Sequence, residues 1–427
     1  MTATLTTGYM TVEKYSFLSL AKHALSGHKK WPQAWRSPEP KAHYDVLIVG
    51  AGGHGLATAY YLAKNHGITN VAVVEKGWLG GGNTGRNTTV VRSNYFYPES
   101  TRFFNHSLNL YEGLTHELNY NLMLSQMGIL TLAHSRHEMD MLRRWATSIQ
   151  VQGVDSELLS REQIGKEVPA INLSPDARYP IVGGFTQRRG GVARHDAVAW
   201  GYARSADHLG VDIIQNCEVL GIKLVNGSVK GVDTTKGFIA TEKVGAAVAG
   251  HSSVIGAMVG LKLPIVSQTL QAMVSEPVKP LLHTVVLSPT VHCYVSQSDR
   301  GEMVIGGGAD AYPSYGQRGN LPAFEDTLAA TLELFPCLSR MKLMRQWGGI
   351  VDISPDSSPI ISKTPVKGFY LNGGWGTGGF KAIPAGGDTF AYTIANDQAH
   401  ELVEPFSLER FAKGRLIDEG AAAGVAH

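Results

Sequence analysis

Cysteine is scarce in this chain. Cys217, Cys293 and Cys337 are the only three among 427 residues, and none stands in a CxxC pair or beside a histidine at metal-ligand spacing. An odd, widely spaced set argues against a disulfide framework and against a zinc site, and it suits a reducing compartment. Charge of one sign is equally short. Lys+Arg total 38 against 36 Asp+Glu, a formal net charge of +2. A binder of nucleic acid or of a membrane surface needs a basic excess or stripe, so neither partner is expected. No apolar run approaches the ~18 residues that cross a bilayer. The first forty residues scatter Lys14, Lys22, Lys29 and Lys30 among apolar positions without a signal-peptide core, so a cytoplasmic location is expected. Charged residues make up only 17% and hydrophobic ones 43%, which excludes extensive disorder.

Glycine is what the chain has in excess: 49 residues, well above the usual share of about 7%. Such an excess points to backbone that turns tightly or lies close to a ligand. Residues 44–49 read as a buried strand. Gly50-Ala51-Gly52-Gly53-His54-Gly55 follows, then a helix over 56–65 closed by Gly67, then a second strand over 70–75. This is a βαβ unit of the parallel, doubly wound kind, and its turn matches GxGxxG. Gly50 permits the turn. Gly52, with Gly53 beside it, lets backbone N–H groups reach a pyrophosphate. Gly55 lets helix and strand pack closely. Glu75 ends the second strand 20 residues beyond Gly55, where a carboxylate accepts from ribose hydroxyls, and Lys76 adjoins it. The ligand class is a dinucleotide, NAD or FAD. Two further glycine clusters favour FAD. Gly82, Asn83, Arg86 and Asn87 in the run over 80–87 are placed to wrap an extended pyrophosphate, and the run over 373–379 lets backbone approach a flavin ring.

The remaining pattern divides the chain. Residues 1–42 form an arm, with a short amphipathic helix over 16–25 followed by Trp31, Trp35 and three prolines. Residues 101–142 are mostly helical in period. Residues 211–248 read as short strands with Asn226-Gly227 and Lys236-Gly237 as hairpin turns, and 245–250 as a third parallel strand ending in a small-residue turn. Strands are expected over 271–275, 292–297 and 303–306, a helix over 324–334, strands over 347–351 and 368–372, and a last helix over 385–395. The expected architecture is α/β: a Rossmann-type FAD-binding domain assembled from the discontinuous segments 43–100, 190–265 and 345–412, and a β-rich substrate or cap domain from 101–189 and 266–344. A tail over 413–427 completes the division.

Several stretches resemble the D-amino-acid-oxidase-like flavoprotein superfamily: 50–55, Glu75-Lys76-Gly77, the run over 80–87 continued by Thr88-Thr89-Val90-Val91-Arg92-Ser93-Asn94-Tyr95, and 373–381. More narrowly, Asn65-His66-Gly67-Ile68-Thr69-Asn70-Val71, Arg194-His195-Asp196, Ile213-Ile214-Gln215-Asn216-Cys217 and 347–352 resemble the beta subunits of heterotetrameric sarcosine oxidases, over nearly all of the chain from about residue 36.

The resemblance implies a non-covalent FAD, to which Val219, Ala249, Gly250, Gly376, Gly378, Gly379 and Lys381 also contribute. It implies an FMN joined covalently to His195, with Arg194 nearby and Arg188 and Arg189 available to its phosphate. His195 taken by itself reads as an ordinary helix-start or hydrogen-bonded residue. Arg92 and Lys381 are implied as the cationic pair that orients a substrate carboxylate, since a small amino acid must be held with its methyl group against the flavin.

The implied partners are an alpha subunit carrying NAD and a tetrahydrofolate site, and two smaller subunits. The implied reaction turns sarcosine into glycine, reduces O2 to H2O2 and passes the one-carbon unit to tetrahydrofolate. The single-subunit relatives tether FAD to a cysteine in the stretch matching 349–359. That stretch has no cysteine here, in keeping with non-covalent FAD. His54 either approaches the FAD or faces solvent, and no general base stands out. The rival expectations are a flavin dehydrogenase of dimethylglycine or a D-amino acid with a non-oxygen acceptor, a non-catalytic nucleotide-binding scaffold, and an NAD-dependent dehydrogenase.

Overall fold

Val-Leu-Ile-Val forms the central strand, Val46–Val49, in a computed structural model that describes residues 16–29 and 33–419. All four side chains are buried, as expected of a parallel strand covered on both faces. It pairs in parallel with Val71–Val74 on one side and Val244–Ala246 on the other. Asp212–Ile214 extends the sheet beyond Val71–Val74, and Phe369–Gly373 beyond Val244–Ala246. Antiparallel Ile360–Lys363 completes the six strands. Thus the strands expected near 70, 245 and 368 meet in one sheet, although the chain leaves it three times to build other structure. Among the described residues, no helix is long and apolar enough to cross a membrane.

Helix Gly53–His66 covers one face of this sheet together with His195–His208 and Ile383–Asn396, and Gly67 ends the first helix in the left-handed conformation, φ 67°. Helix Pro98–Glu117 buries Phe103, Phe104, Leu108, Tyr111 and Leu114 in the same core. The opposite face packs on a three-stranded antiparallel sheet, Val219–Val225, Ser228–Thr234 and Gly237–Ala240, through Leu47, Val49, Val74, Val229, Val232 and Ile239. Its first hairpin turns at Asn226 and Gly227, φ 50° and 74°, the pair of positive angles that Asn-Gly supplies.

A second, eight-stranded sheet runs in the order Leu343–Ile353, Val266–Pro277, Glu302–Pro313, Cys293–Gln297, Val285–Ser288, Ile129–Ala133, Gly183–Gln187, Glu157–Ser160. The helical expectation over 101–142 is corrected here. Strand Ile129–Ala133 separates helices Pro98–Glu117 and Arg136–Val151. A five-residue apolar run carries no usable period, and pairing with Gly183–Gln187 and Val285–Ser288 decides its conformation. In the N-terminal arm, Ser16 caps helix Phe17–Leu25, none of whose residues is buried. Trp31 lies outside the described residues. Arg36 and Lys41 tie the following segment to the body through Asp207 and Asp212, both at 2.8 Å.

Behind the first sheet's edge, Arg410 and Asp356 form a bidentate ion pair, both bonds 2.8 Å, with side-chain exposures of 2% and 0%. Burial works to raise the Asp356 carboxyl; the hydrogen bonds and charge of Arg410 outweigh it and hold the group below its ordinary value. Removing one partner strands a buried charge. Arg410→Met is therefore expected to lower stability by about 3–5 kcal/mol, and Arg410→Met combined with Asp356→Leu to recover much of the loss. Urea unfolding midpoints of the two variants check this; an unchanged midpoint in the single variant would contradict it.

Candidate functional site

The site begins where the central strand ends. Gly50 has φ +103°, and a Cβ there would stand 2.5 Å from the carbonyl oxygen of Ala247. A Cβ on Gly55 would stand 1.9 Å from the carbonyl oxygen of Gly50. Strand end, helix start and the neighbouring strand's exit therefore meet backbone to backbone, as only glycine permits. Gly52, the cap residue of helix Gly53–His66, offers no side chain, and the Gly53 N–H donates instead to Thr84 Oγ1 at 2.9 Å. The positive end of a 14-residue helix thus faces the run over 80–87.

Between these segments and the eight-stranded sheet lies a cavity of about 540 Å³. Gly50, Gly52, Gly53, Glu75, Lys76, Gly82, Asn83, Arg86, Asn87, Val219, Ala249, Gly250, Gly376 and Gly379 line it, as do Arg92 and Lys381. The structure thus gathers residues from five separated stretches. Gly55 does not line the cavity but lies beneath the turn, in the close helix–strand contact read for it from the sequence, and Gly378, expected at the cofactor, faces a smaller adjoining cavity of about 30 Å³. Glu75 accepts from the N–H groups of Ala51 and Gly77, both at 3.0 Å, which fixes its carboxylate at the strand end. Arg86 is turned onto the carbonyls of Gly81 and Gly82, and Asn83 onto that of Ile350, so both side chains shape the loop itself.

Arg92 donates to Asn94 Oδ1 at 2.8 Å, and its guanidinium carbon lies 4.6 Å from the Tyr95 ring centre. Lys381 is 7% exposed, and its ammonium donates to the Thr377 carbonyl at 2.9 Å. Burial, and secondly the charge of Arg92, hold it well below the usual lysine value. Neither cation has a carboxylate partner among the described residues. Two cations in one cavity, neither of them in an ion pair among the described residues, make a place for an anion: an arriving carboxylate offsets both desolvation and repulsion.

Three lining residues lay outside the sequence expectation for chemistry. Asp352 ends the pattern Trp347-Gly-Gly-Ile-Val-Asp, is 1% exposed, and accepts from the Gly374 N–H at 2.6 Å. Burial pushes its carboxyl up to about 7, against the lowering effect of backbone hydrogen bonds. A carboxylate closing the Gly-Gly-Ile-Val run over 348–351, which is buried, was the available signal. His54 does not face solvent. It stacks on Trp375 with ring centres 4.4 Å apart, its Nε2 lies 2.8 Å from the Gly379 carbonyl, and burial lowers it to about 4. Trp375 in turn donates to Asn372 Oδ1 at 2.7 Å, so the loop over 373–379 is held from below.

His195 and Arg194 do not line this cavity. His195 opens helix His195–His208; burial lowers its imidazole, and its Nδ1 is buried without a hydrogen-bond partner. Arg194 pairs with Asp196 at 2.7 Å. The other two arginines are engaged with carboxylates: Arg188 with Glu157 and Glu167, Arg189 with Glu112.

Over 416 residues, 97% of this chain and 100% of the relative, the sequence is 53% identical to sarcosine oxidase subunit beta of Rhodobacter capsulatus. It is 55% identical to that of Arthrobacter sp over 92% of this chain and 97% of the relative. A family model described as FAD dependent oxidoreductase matches residues 45–393. The chain belongs to the sarcosine oxidase beta-subunit family of FAD-dependent oxidoreductases. Among solved structures, L-proline dehydrogenase from P. horikoshii superposes with a TM-score of 0.82 at 26% identity, covering 88% of this chain and 100% of that one. Glycine oxidase from Geobacillus kaustophilus, at 0.78 and 23%, shares the fold over 87% of this chain and 99% of that one.

The cavity fits the family's cofactor. A Cβ placed on Gly82 or Gly376 would meet no atom within 4 Å, so both glycines look onto open space that a bound group can fill. The helix terminus at Gly52 and Gly53 suits a pyrophosphate, and the pinned Glu75 suits a ribose.

A pH dependence follows from Asp352. Its carboxyl keeps a proton up to about pH 7 when folded but only to near 3.8 when unfolded. The native state therefore binds more protons across that window. Stability falls as pH rises through it, by at most about 1.4 kcal/mol per pH unit, and is flat above. Asp352→Asn removes this fall, so between about pH 5 and about pH 8 the variant gains on the parent. Thermal midpoints measured across pH check the difference; parallel curves would contradict it.

Proposed function

We propose that this chain is the flavin-bearing subunit of an enzyme that oxidises sarcosine to glycine. The single observation that carries the reading is the meeting of Arg92 and Lys381, basic residues 289 positions apart in sequence and without an ion pair among the described residues, in the cavity that the glycine turn forms. FAD, held by the glycine turn, Glu75 and the loop over 373–379, supplies the two-electron acceptor. Arg92 and Lys381 bind the substrate carboxylate and so orient its N-methyl group. Leu270, Gln271, Ala272 and Tyr294 of the eight-stranded sheet close the opposite wall, and keep water from the reacting bond. The lowered Lys381 is itself a proton acceptor when uncharged, and Asp352, buried near neutrality, is a second group able to carry a proton within the cavity.

The finer reading adds a second flavin. A neutral imidazole with an unpartnered buried nitrogen fits covalent attachment of FMN at His195. On the same helix Trp200 is 41% exposed, and Met123, next to the Leu122 carbonyl that Arg194 engages, is 44% exposed. A covering alpha subunit accounts for both. The relatives are named as subunits, which supports an assembly with that chain and two smaller ones. NAD and the tetrahydrofolate that takes the one-carbon unit are assigned to the partner, and O2 leaves as H2O2. FAD stays non-covalent, because no cysteine stands in 349–359. In this reading segments 43–100, 190–265 and 345–412 make the FAD domain and 101–189 with 266–344 the cap.

Two experiments test it. Arg92→Ala or Lys381→Ala is expected to weaken sarcosine binding by about 2–5 kcal/mol, Lys381 the more because it is buried; steady-state kinetics unchanged with sarcosine would reject the carboxylate clamp. Acid precipitation of the purified complex is expected to leave one flavin on the pellet and release the other, and His195→Ala to release both. Two flavins in the supernatant of the parent protein would refute the covalent link.

A further inference from the structure

Beyond helix Arg410–Lys413 the chain runs back toward the site. The Ile417 N–H donates to Asp356 Oδ2 at 3.1 Å, and the Ile417 carbonyl accepts from Ser358 Oγ at 2.5 Å. Two residues on, Glu419 is 4% exposed. Its carboxylate accepts from the N–H groups of Phe96, at 3.1 Å, and Tyr97, at 2.9 Å. These amides open helix Pro98–Glu117, whose cap residue Tyr97 makes no side-chain bond of its own. A carboxylate 322 positions away in sequence does the capping, with the favourable sign for a helix N-terminus.

The capped helix start follows directly on the segment that bears Arg92. Between them Tyr95 carries the Arg92 guanidinium on its ring and stacks on Phe104 with ring centres 3.7 Å apart. The stacked pair abuts the late glycine loop: a Cβ on Gly378 would lie 3.3 Å from both Tyr95 OH and Phe104 Cζ. Glu419 lines the small adjoining cavity together with Tyr95, Phe104, Trp375 and Gly378. It therefore stands where the Arg92 turn meets the loop that leads to Lys381. Burial raises its carboxyl, and the charge of Arg92 is among the influences opposing that rise.

We propose that Glu419 is a positioning residue for substrate: by holding the amides of Phe96 and Tyr97 it fixes Arg92 at the spacing from Lys381 that a small carboxylate requires. The inference rests on the assignment of Arg92 and Lys381 as the carboxylate clamp. Glu419 touches neither substrate nor flavin and acts through the turn.

The test compares Glu419→Ala, Glu419→Gln and Arg92→Ala in the assembled enzyme. Hydrogen exchange is followed over residues 93–104, and kcat, KM for sarcosine and the inhibition constant of acetate are measured. Glu419→Ala is expected to speed exchange at amides 96 and 97 about tenfold. It should also raise KM and the acetate constant about fivefold to tenfold, with kcat within about twofold. Glu419→Gln keeps one acceptor and falls between; it decides the matter if the alanine variant does not fold. Unchanged exchange at 96 and 97, or faster exchange with KM and acetate binding unmoved, overturns the proposal while Arg92→Ala still raises KM. An Arg92→Ala variant with unaltered KM overturns the clamp assignment and this inference with it.

Discussion

Backbone touching backbone at the end of the central strand is the constraint on which the rest of the structure depends. Gly50 abuts Ala247, and Gly55 abuts Gly50, at separations that no side chain allows. Because of those approaches, strand Val46–Val49, helix Gly53–His66 and the exit of Val244–Ala246 share one corner. The cavity is the space in front of that corner. Glu75 is tied to it through the Ala51 N–H, and the run over 80–87 through Thr84. A group bound there meets N–H dipoles and a helix terminus rather than flexible side chains, which pre-organises the site.

Electrostatics divides the cavity in two. At the helix end the field comes from aligned backbone dipoles and suits phosphate. At the other end it comes from Arg92 and Lys381, neither paired with a carboxylate among the described residues, and suits a small acid. The buried ionisable groups nearby are shifted toward neutrality: His54 toward its uncharged form and Asp352 toward its protonated one. Desolvation explains both shifts, since it disfavours whichever form carries charge. The chain therefore brings Arg92 and Lys381 together at the substrate end, where an arriving anion favours the charged form of the buried lysine, and suppresses other charge around them.

How much of this was legible in the sequence depends on the range of the interaction concerned. The βαβ unit, the Asn226-Gly227 hairpin and the late glycine loop are local, with residue choice and spacing both visible, and each stands where it was expected. Strand Ile129–Ala133 was not legible, because its five apolar residues take their conformation from partners far along the chain. Gly378 belongs to the right motif but faces a side cavity, a distinction set by three-dimensional direction. Asp352 and Glu419 escaped notice for another reason. A carboxylate's role depends on burial and on which N–H groups it meets, and both are fixed only when distant segments dock. Arg188 and Arg189 show the converse, since their nearness in sequence to His195 says nothing of the carboxylates that engage them.

The central claim is that the glycine-cornered cavity holds a flavin that takes electrons from sarcosine. Its most direct test is anaerobic addition of sarcosine to the purified, assembled protein while the visible flavin spectrum is recorded. The oxidised flavin band should bleach with saturating dependence on sarcosine and return when air is admitted. A spectrum with no flavin band, or a flavin band that sarcosine leaves unchanged, would contradict it.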